Sequence, residues 1–166
     1  MKGGITVIKV GIIGAGRIGH VHGESISKFV KNATVKTIAD PFMNAKTEAW
    51  AKSIGVEHTT KDYHEILDDP EITAVLICAS TDQHSPLSIE ALRAGKHVFC
   101  EQPSDHAVNN IKEVLTVVKE SGKKYQVGFN RRFDHNFKAI HDAVAAGKVG
   151  KQQIIKITSR DPEPPS

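Results

Sequence analysis

Residues 5–19 read ITVIKVGIIGAGRIG, and this run decides the fold. Its first part is β-branched and apolar almost throughout, as a strand covered on both faces should be. Gly14, Gly16 and Gly19 follow at G-x-G-x-x-G spacing. Past the first glycines, Ile18, Val21, Ser25/Ile26 and Phe29 recur at helical spacing, so strand, glycine turn and helix come in that order. A second short strand, TVKTIAD, ends on Asp40, 21 residues after Gly19. A lone G-x-G-x-x-G is weak evidence. Set between a strand and a helix, with an acid closing the next strand, it is the dinucleotide-binding fingerprint.

Each residue of the motif has its own physical task. Gly14 permits the tight turn, Gly16 lets the backbone approach a pyrophosphate, and Gly19 lets helix and strand pack closely. The helix start at Arg17 and Ile18 offers free N–H groups and a positive dipole end to phosphates. Asp40 can accept hydrogen bonds from adenosine ribose hydroxyls and would repel a 2′-phosphate. No arginine follows it in DPFMN, so the expected cofactor is NAD rather than NADP. The plainer role for Asp40 is turn formation before Pro41. His20 and His22 have no carboxylate or cysteine at metal spacing and read as ordinary helix residues; no metal site is expected.

Strand and helix patterns keep alternating outward from this core. A helix is expected around Asn44 to Ser53, then an extended piece near Val56 to Thr59. KDYHEILDD reads as a short helix capped by Asp62. ITAVLICAS is the most apolar run and reads as a central strand. SPLSIEALRAG reads as a helix with Pro86 in its first turn and Gly95 as its stop. KHVFCE is a further strand, and AVNNIKEVLTVVKESG a helix with Val108, Ile111, Leu115 and Val118 on one face. KYQVGFN is the sixth strand. This repetition over residues 5 to 129 predicts an α/β fold: a doubly wound parallel sheet with helices on both faces.

Residues 130–166 differ. DHNFKAIHDAVAAG is helical, with Phe137, Ile140 and Val144 on one face, KQQIIKITSR reads as a strand, and DPEPPS ends in prolines. One helix and one strand cannot bury a core, so this tail reads as the connecting helix and first strand of a truncated second α+β domain. An isolated strand edge seeks pairing, which predicts a homo-oligomer formed through it.

The totals exclude several functions. The chain has 166 residues, 39% hydrophobic and 25% charged, with a net charge of +3 and no block of like charges. That is a solvated surface, not a nucleic-acid patch. No apolar run approaches the roughly 20 residues a membrane span needs. Cys78 and Cys100 sit in apolar runs, as buried thiols of a reducing compartment do. MKGGITVIKV lacks a long apolar core, so no secretory signal and a cytoplasmic location are expected.

The segments VGIIGAGRIGHVH, IADP, CASTDQHSPLSIEALRAGKHVFCEQPSD, VGFNRRFDHNFKAIHDAV and GKQQIIKITSRDPEPP together resemble the Gfo/Idh/MocA oxidoreductase family. Within it the chain is most similar to the inositol 2-dehydrogenases. The resemblance implies a Rossmann domain that binds NAD, followed in full-length members by a mostly antiparallel domain holding a sugar or polyol. It places Ala79, Ser80 and Thr81 along the nicotinamide ribose, with Gln83 and His84 nearby, though His84 reads equally as a helix-entry residue before Pro86. Glu101 stands at the same rim, where an acid is otherwise a solvated cap. Asn130 and Arg132 resemble residues facing nicotinamide or substrate. The family carries Glu-Lys-Pro where this chain has Glu101-Gln102-Pro103. That lysine works with an aspartate and a histidine from the second half, so Gln102, which does not titrate, implies little activity. A small polyol is then a substrate only if a second domain is supplied. The alternative reading is a non-catalytic NAD-binding module or a partner-binding pseudoenzyme.

Overall fold

Strand β1 (Ile8–Ile13) sits at the centre because its side chains are apolar on both faces: Val10, Ile12 and Ile13 are all buried. The structure is a computed structural model and describes residues 7–56, 58–158 and 160. It divides into two units, the boundary falling between Gly128 and Phe129.

In the first unit β1 pairs with β2 (Ala33–Ala39) on one side and β4 (Ile72–Ile77) on the other. β3 (His58–Thr60) extends the sheet beyond β2, and β5 (His97–Cys100) and β6 (Tyr125–Val127) extend it beyond β4. The order is β3-β2-β1-β4-β5-β6, all pairs parallel. The doubly wound parallel sheet expected from the sequence is therefore present. Chain order reverses between β1 and β4, and in such sheets ligands bind outside the carboxyl ends of the strands at that switch point.

Two helices, α1 (Arg17–Phe29) and α2 (Ala45–Ser53), supply one apolar layer, in which Ile18, Ile26 and Trp50 pack on Ile12, Val35, Ile38 and Ala51. The other layer takes α3 (His64–Asp68), α4 (Thr81–Arg93) and α5 (Val108–Ser121), whose Ile66, Leu87, Leu92, Val114 and Val117 cover Val75, Ile77 and Val98. Each such fully buried aliphatic side chain contributes about 1.5–3 kcal/mol. Asn44 starts α2, its Oδ1 accepting from Lys46 N at 3.1 Å and Thr47 N at 3.2 Å. Asp62, expected as the cap of α3, lies one residue before the N-cap Tyr63, which makes no capping side-chain bond; its Oδ1 accepts from His64 N at 2.9 Å.

Several local expectations are corrected. In α1 the buried residues are Gly19 and Gly23, whereas Val21 is 53% and Phe29 79% exposed. Gly19 lies against the Gly14 turn, where a Cβ would come within 2.1 Å of Gly14 O, and Gly23 lies against Trp50 and Ile54, while Ile18 and Ile26 pack on the core beside them. In α5 the buried face is Val114 and Val117; Val108 and Leu115 are exposed. Helix α4 begins at Thr81, so Pro86 stands inside it rather than in its first turn. The proline removes only the hydrogen bond that Asp82 C=O would accept, a loss the helix tolerates beside its solvent face.

In the second unit a 3₁₀ turn (Asn130–Arg132) leads to α6 (His135–Ala145). Asp134 caps α6, its Oδ1 accepting from Asn136 N at 2.8 Å and Phe137 N at 3.1 Å. Phe137, Ile140 and Val144 form the expected stripe, but all three are exposed. The strand expected in KQQIIKITSR is absent among its described residues, where Ile154, Ile155 and Ile157 are exposed. A strand exists by virtue of its ladder, and β-propensity without a pairing partner does not make one. Ile5, Thr6, Ser159 and DPEPPS lie outside the described residues.

Candidate functional site

The glycine motif closes the carboxyl end of β1. Gly14 has φ +101°, and a Cβ there would lie 2.6 Å from the Cys78 backbone at the end of β4. Its N–H donates to Ala39 O at 2.8 Å, fastening the turn to β2. A Cβ on Gly19 would come within 2.1 Å of Gly14 O. Both glycines are thus required by the packing of the chain itself.

Gly16 is not. Its φ of −74° and ψ of −168° suit any residue, and a Cβ there would meet nothing within 4 Å. Nothing in the fold asks for glycine at this position. Gly16 is also the N-cap of α1, a helix with no capping side chain and no acid in its first turn. The first N–H groups of that helix, at Arg17 and Ile18, therefore have no capping side chain to donate to. These features fit a pyrophosphate.

Asp40 lies beside the loop and does two things. Its Oδ2 accepts from Ala15 N at 2.6 Å, and its Oδ1 accepts from Phe42 N at 2.8 Å. The first bond orients the carboxylate over the glycine turn; the second makes the turn before α2. The turn-forming role expected of the residue is present, and each oxygen keeps a further lone pair. Gly14, Gly16, Asp40, Ala79, Ser80 and Gln83 line one cleft of about 620 Å³ at the switch point, within the ordinary size of a small-molecule site.

Phe42, Lys61 and Tyr63 also line this cleft, and none was singled out from the sequence. The Tyr63 hydroxyl donates to Glu90 Oε2 at 2.8 Å; burial and then the Glu90 carboxylate push it up to about 12. The available signal was register. Ala39 pairs with Thr60, so the residues following β3 arrive beside Asp40.

The loops after β4 and β5 form the other wall of the rim. Ser80 is the N-cap of α4, Thr81 its first residue, and Gln83 N donates to Ser80 O at 2.9 Å. His84 is only 2% exposed, with Nδ1 2.7 Å from Pro103 O and Nε2 3.0 Å from Ala79 O. It shapes the rim from inside, both ring nitrogens being engaged by the backbone.

Glu101 meets His22 Nε2 at 2.5 Å, in a pair whose side chains are largely buried. The His22 ring also stands edge-on to Phe99 at 5.1 Å. His22 is thus the partner of the rim acid rather than an ordinary helix residue, a contact spanning 79 residues that no local pattern reveals. Gln102 follows, exposed, with its N–H 3.3 Å from Glu101 Oε2 and a cis peptide to Pro103. His20 stacks on Trp50 at 3.7 Å, with its Nδ1 2.9 Å from Gly16 O. Cys78 is buried beneath the loops; burial, then the Glu101 charge, push its thiol up to about 12, so it is unreactive. Asn130 and Arg132 lie on the 3₁₀ turn of the second unit, both exposed. Among the described residues no group of three His, Cys, Asp or Glu is placed to hold a metal ion.

The family model for Gfo/Idh/MocA, an oxidoreductase family with an NAD-binding Rossmann fold, matches residues 8–129. The chain belongs to this family. Its Gfo/Idh/MocA segment is an NAD-binding Rossmann domain, and the cleft at the switch point is where that fold holds its dinucleotide. Over 159 residues the chain is 44% identical to the uncharacterized oxidoreductase YrbE of Bacillus subtilis, covering 96% of this chain and 46% of that protein. It is 42% identical to the myo-inositol 2-dehydrogenase of Thermotoga maritima, covering 95% and 47% of the two chains. Among solved structures it is similar to scyllo-inositol dehydrogenase of Lactobacillus casei with bound NAD(H) and scyllo-inositol. That similarity has a TM-score of 0.81 at 32% identity and covers 87% of this chain and 43% of that one. The chain spans about half the length of these relatives.

Proposed function

We propose that this chain is the NAD-binding half of an inositol 2-dehydrogenase-like oxidoreductase. The reaction would pass hydride from a polyol or sugar C–OH to NAD, with a second domain supplying the substrate pocket. The observation that carries the reading is Gly16: its missing Cβ is explained by no contact of the chain, while Asp40 stands fixed over the adjacent Ala15 N–H. Similarity to inositol dehydrogenases over nearly the whole chain supports the substrate class.

In this reading the first-turn N–H groups of α1 hold the pyrophosphate. Asp40 takes ribose hydroxyls and disfavours a 2′-phosphate. The Ala79–Thr81 loop, Gln83 and Glu101 line the nicotinamide side, and Asn130 and Arg132 serve nicotinamide or substrate. NAD, when bound, supplies the hydride acceptor. Gln102 hydrogen-bonds a substrate hydroxyl but removes no proton. A titrating group at such a place contributes about 10² to 10⁴-fold, so turnover should be small. Residues 130–166 are read as the opening of the substrate domain. The exposed Ile154, Ile155 and Ile157 support self-association through that segment. No described helix is long and apolar enough to cross a membrane, and a cytoplasmic location is part of the proposal.

Gln102 favours one second reading, a module that binds NAD without catalysis. Calorimetric titration separates the outcomes. Binding of NAD at about −8 to −5 kcal/mol, weakened by Asp40→Ala, is expected. No heat at two temperatures would remove the cofactor reading. NADH formation on adding an inositol would remove the non-catalytic one.

A further inference from the structure

His84 is buried in an environment that a neutral imidazole cannot satisfy. Nδ1 lies 2.7 Å from Pro103 O and Nε2 lies 3.0 Å from Ala79 O. A carbonyl oxygen only accepts. A neutral ring has one N–H, so one of the two contacts would set a nitrogen lone pair against an oxygen lone pair, whereas an imidazolium donates to both. The two carbonyls belong to different loops, one after β4 and the other just past Gln102. The next side chain repeats the grip: Ser85, equally buried, donates to Ser104 O at 3.3 Å.

The ionisable side chain facing the ring from β5 is the Cys100 thiol, with Tyr125 of β6 beyond it; no described carboxylate pairs with His84. Burial works against the charge. Cys100 and the carbonyls of Pro103 and Ala79 outweigh it and raise His84 to about 9.

We propose that His84 is a positioning residue held as an imidazolium, whose two N–H groups tie the loop after β4 to the turn bearing Gln102. The charge supplies the second N–H, so that both carbonyls accept from one ring. Residue 102 is thereby held at a fixed place on the rim, and the tie concerns the order of this chain whether or not a cofactor is bound.

The test is ¹⁵N–¹H spectroscopy of the histidine rings in the 166-residue chain at pH 7.5, without ligand. Both His84 ring nitrogens should carry slowly exchanging protons, persisting until the pH nears 9. A ring with a single N–H at pH 7.5 would overturn the proposal. His84→Gln, which cannot span both carbonyls, should raise amide exchange of residues 102 to 107 at least tenfold and leave β1 and β4 unchanged. Unchanged exchange in a folded variant would also overturn it. Should that variant not fold, wild-type exchange decides: it must rise for residues 102 to 107 before β1 between pH 7 and 10. A parallel NAD titration separates the readings. Two ring protons with no NAD binding would remove the cofactor assignment and leave this one standing.

Discussion

Gly16 and Gly19 belong to one motif but should respond oppositely to the same methyl group. In Gly19→Ala the new Cβ would lie 2.1 Å from Gly14 O, a backbone atom that no rotamer change can move. Helix α1 must shift by more than an ångström from the turn, at the upper end of overpacking costs, about 2–3 kcal/mol. In Gly16→Ala the Cβ meets nothing within 4 Å and the backbone is already extended. Loss of glycine at an N-cap costs about 0.5–1 kcal/mol, and the stiffer unfolded chain returns about 0.4–1 kcal/mol. Stability should change by less than about 0.5 kcal/mol on that balance. NAD affinity, in contrast, should fall at least tenfold, about 1.4 kcal/mol, because the methyl occupies the approach of the pyrophosphate. Trp50, the sole tryptophan, stacks on His20 beside Gly16 and reports urea unfolding by fluorescence; calorimetry reports NAD. If Gly16→Ala unfolds as readily as Gly19→Ala, or folds and binds NAD like the parent, the division between packing and ligand glycines is wrong.

Asp40→Ala should weaken NAD at least tenfold and narrow its margin over NADP, measured by paired titrations; a parent chain that prefers NADP would mean the acid is misread. Because folding raises His84 from 6.5 to about 9, its stabilisation is fully present below pH 6.5 and lost as pH rises through about 9. That decline amounts to at most about 3 kcal/mol, should vanish in His84→Gln, and is read from urea midpoints between pH 6 and 9. Cys78, raised from 9.0 to about 12, acts above that window, where the unfolded thiol ionises and the folded one does not. Gln102→Lys alone should not produce measurable NADH from an inositol, since a lysine at the rim does not supply a substrate pocket; appreciable NADH would contradict the need for a second domain. His22→Ala should destabilise the rim by about 1–3 kcal/mol, the cost of leaving Glu101 buried without its partner, seen as a lower urea midpoint.

The sequence by itself determined the order of strands and helices, the glycine turn and the acid after β2. These are local: β-branched runs, a fixed glycine spacing and an aspartate at a strand end each carry their physical cause within a few residues. It also singled out Gly14, Gly16, Gly19 and Asp40 together, with Gly14 expected to make the turn, Gly19 to allow close packing and Gly16 to admit a ligand. Folding adds the contacts: a Cβ would strike the backbone at Gly14 and Gly19 and meet nothing within 4 Å at Gly16. Tertiary structure alone decided that α1 buries Gly19 and Gly23 in place of Val21 and Phe29, because Gly19 meets the Gly14 turn and Gly23 meets Trp50 and Ile54. It decided that His22 belongs with Glu101, and that His84 lies between two carbonyls from separate loops. It brought Phe42, Lys61 and Tyr63 to the cleft through the register of β2 with β3. It also left KQQIIKITSR without a ladder among its described residues, since a strand is a property of a pair. What spacing encodes, the chain announces residue by residue; what depends on two distant segments meeting appears only when the sheet has brought them together.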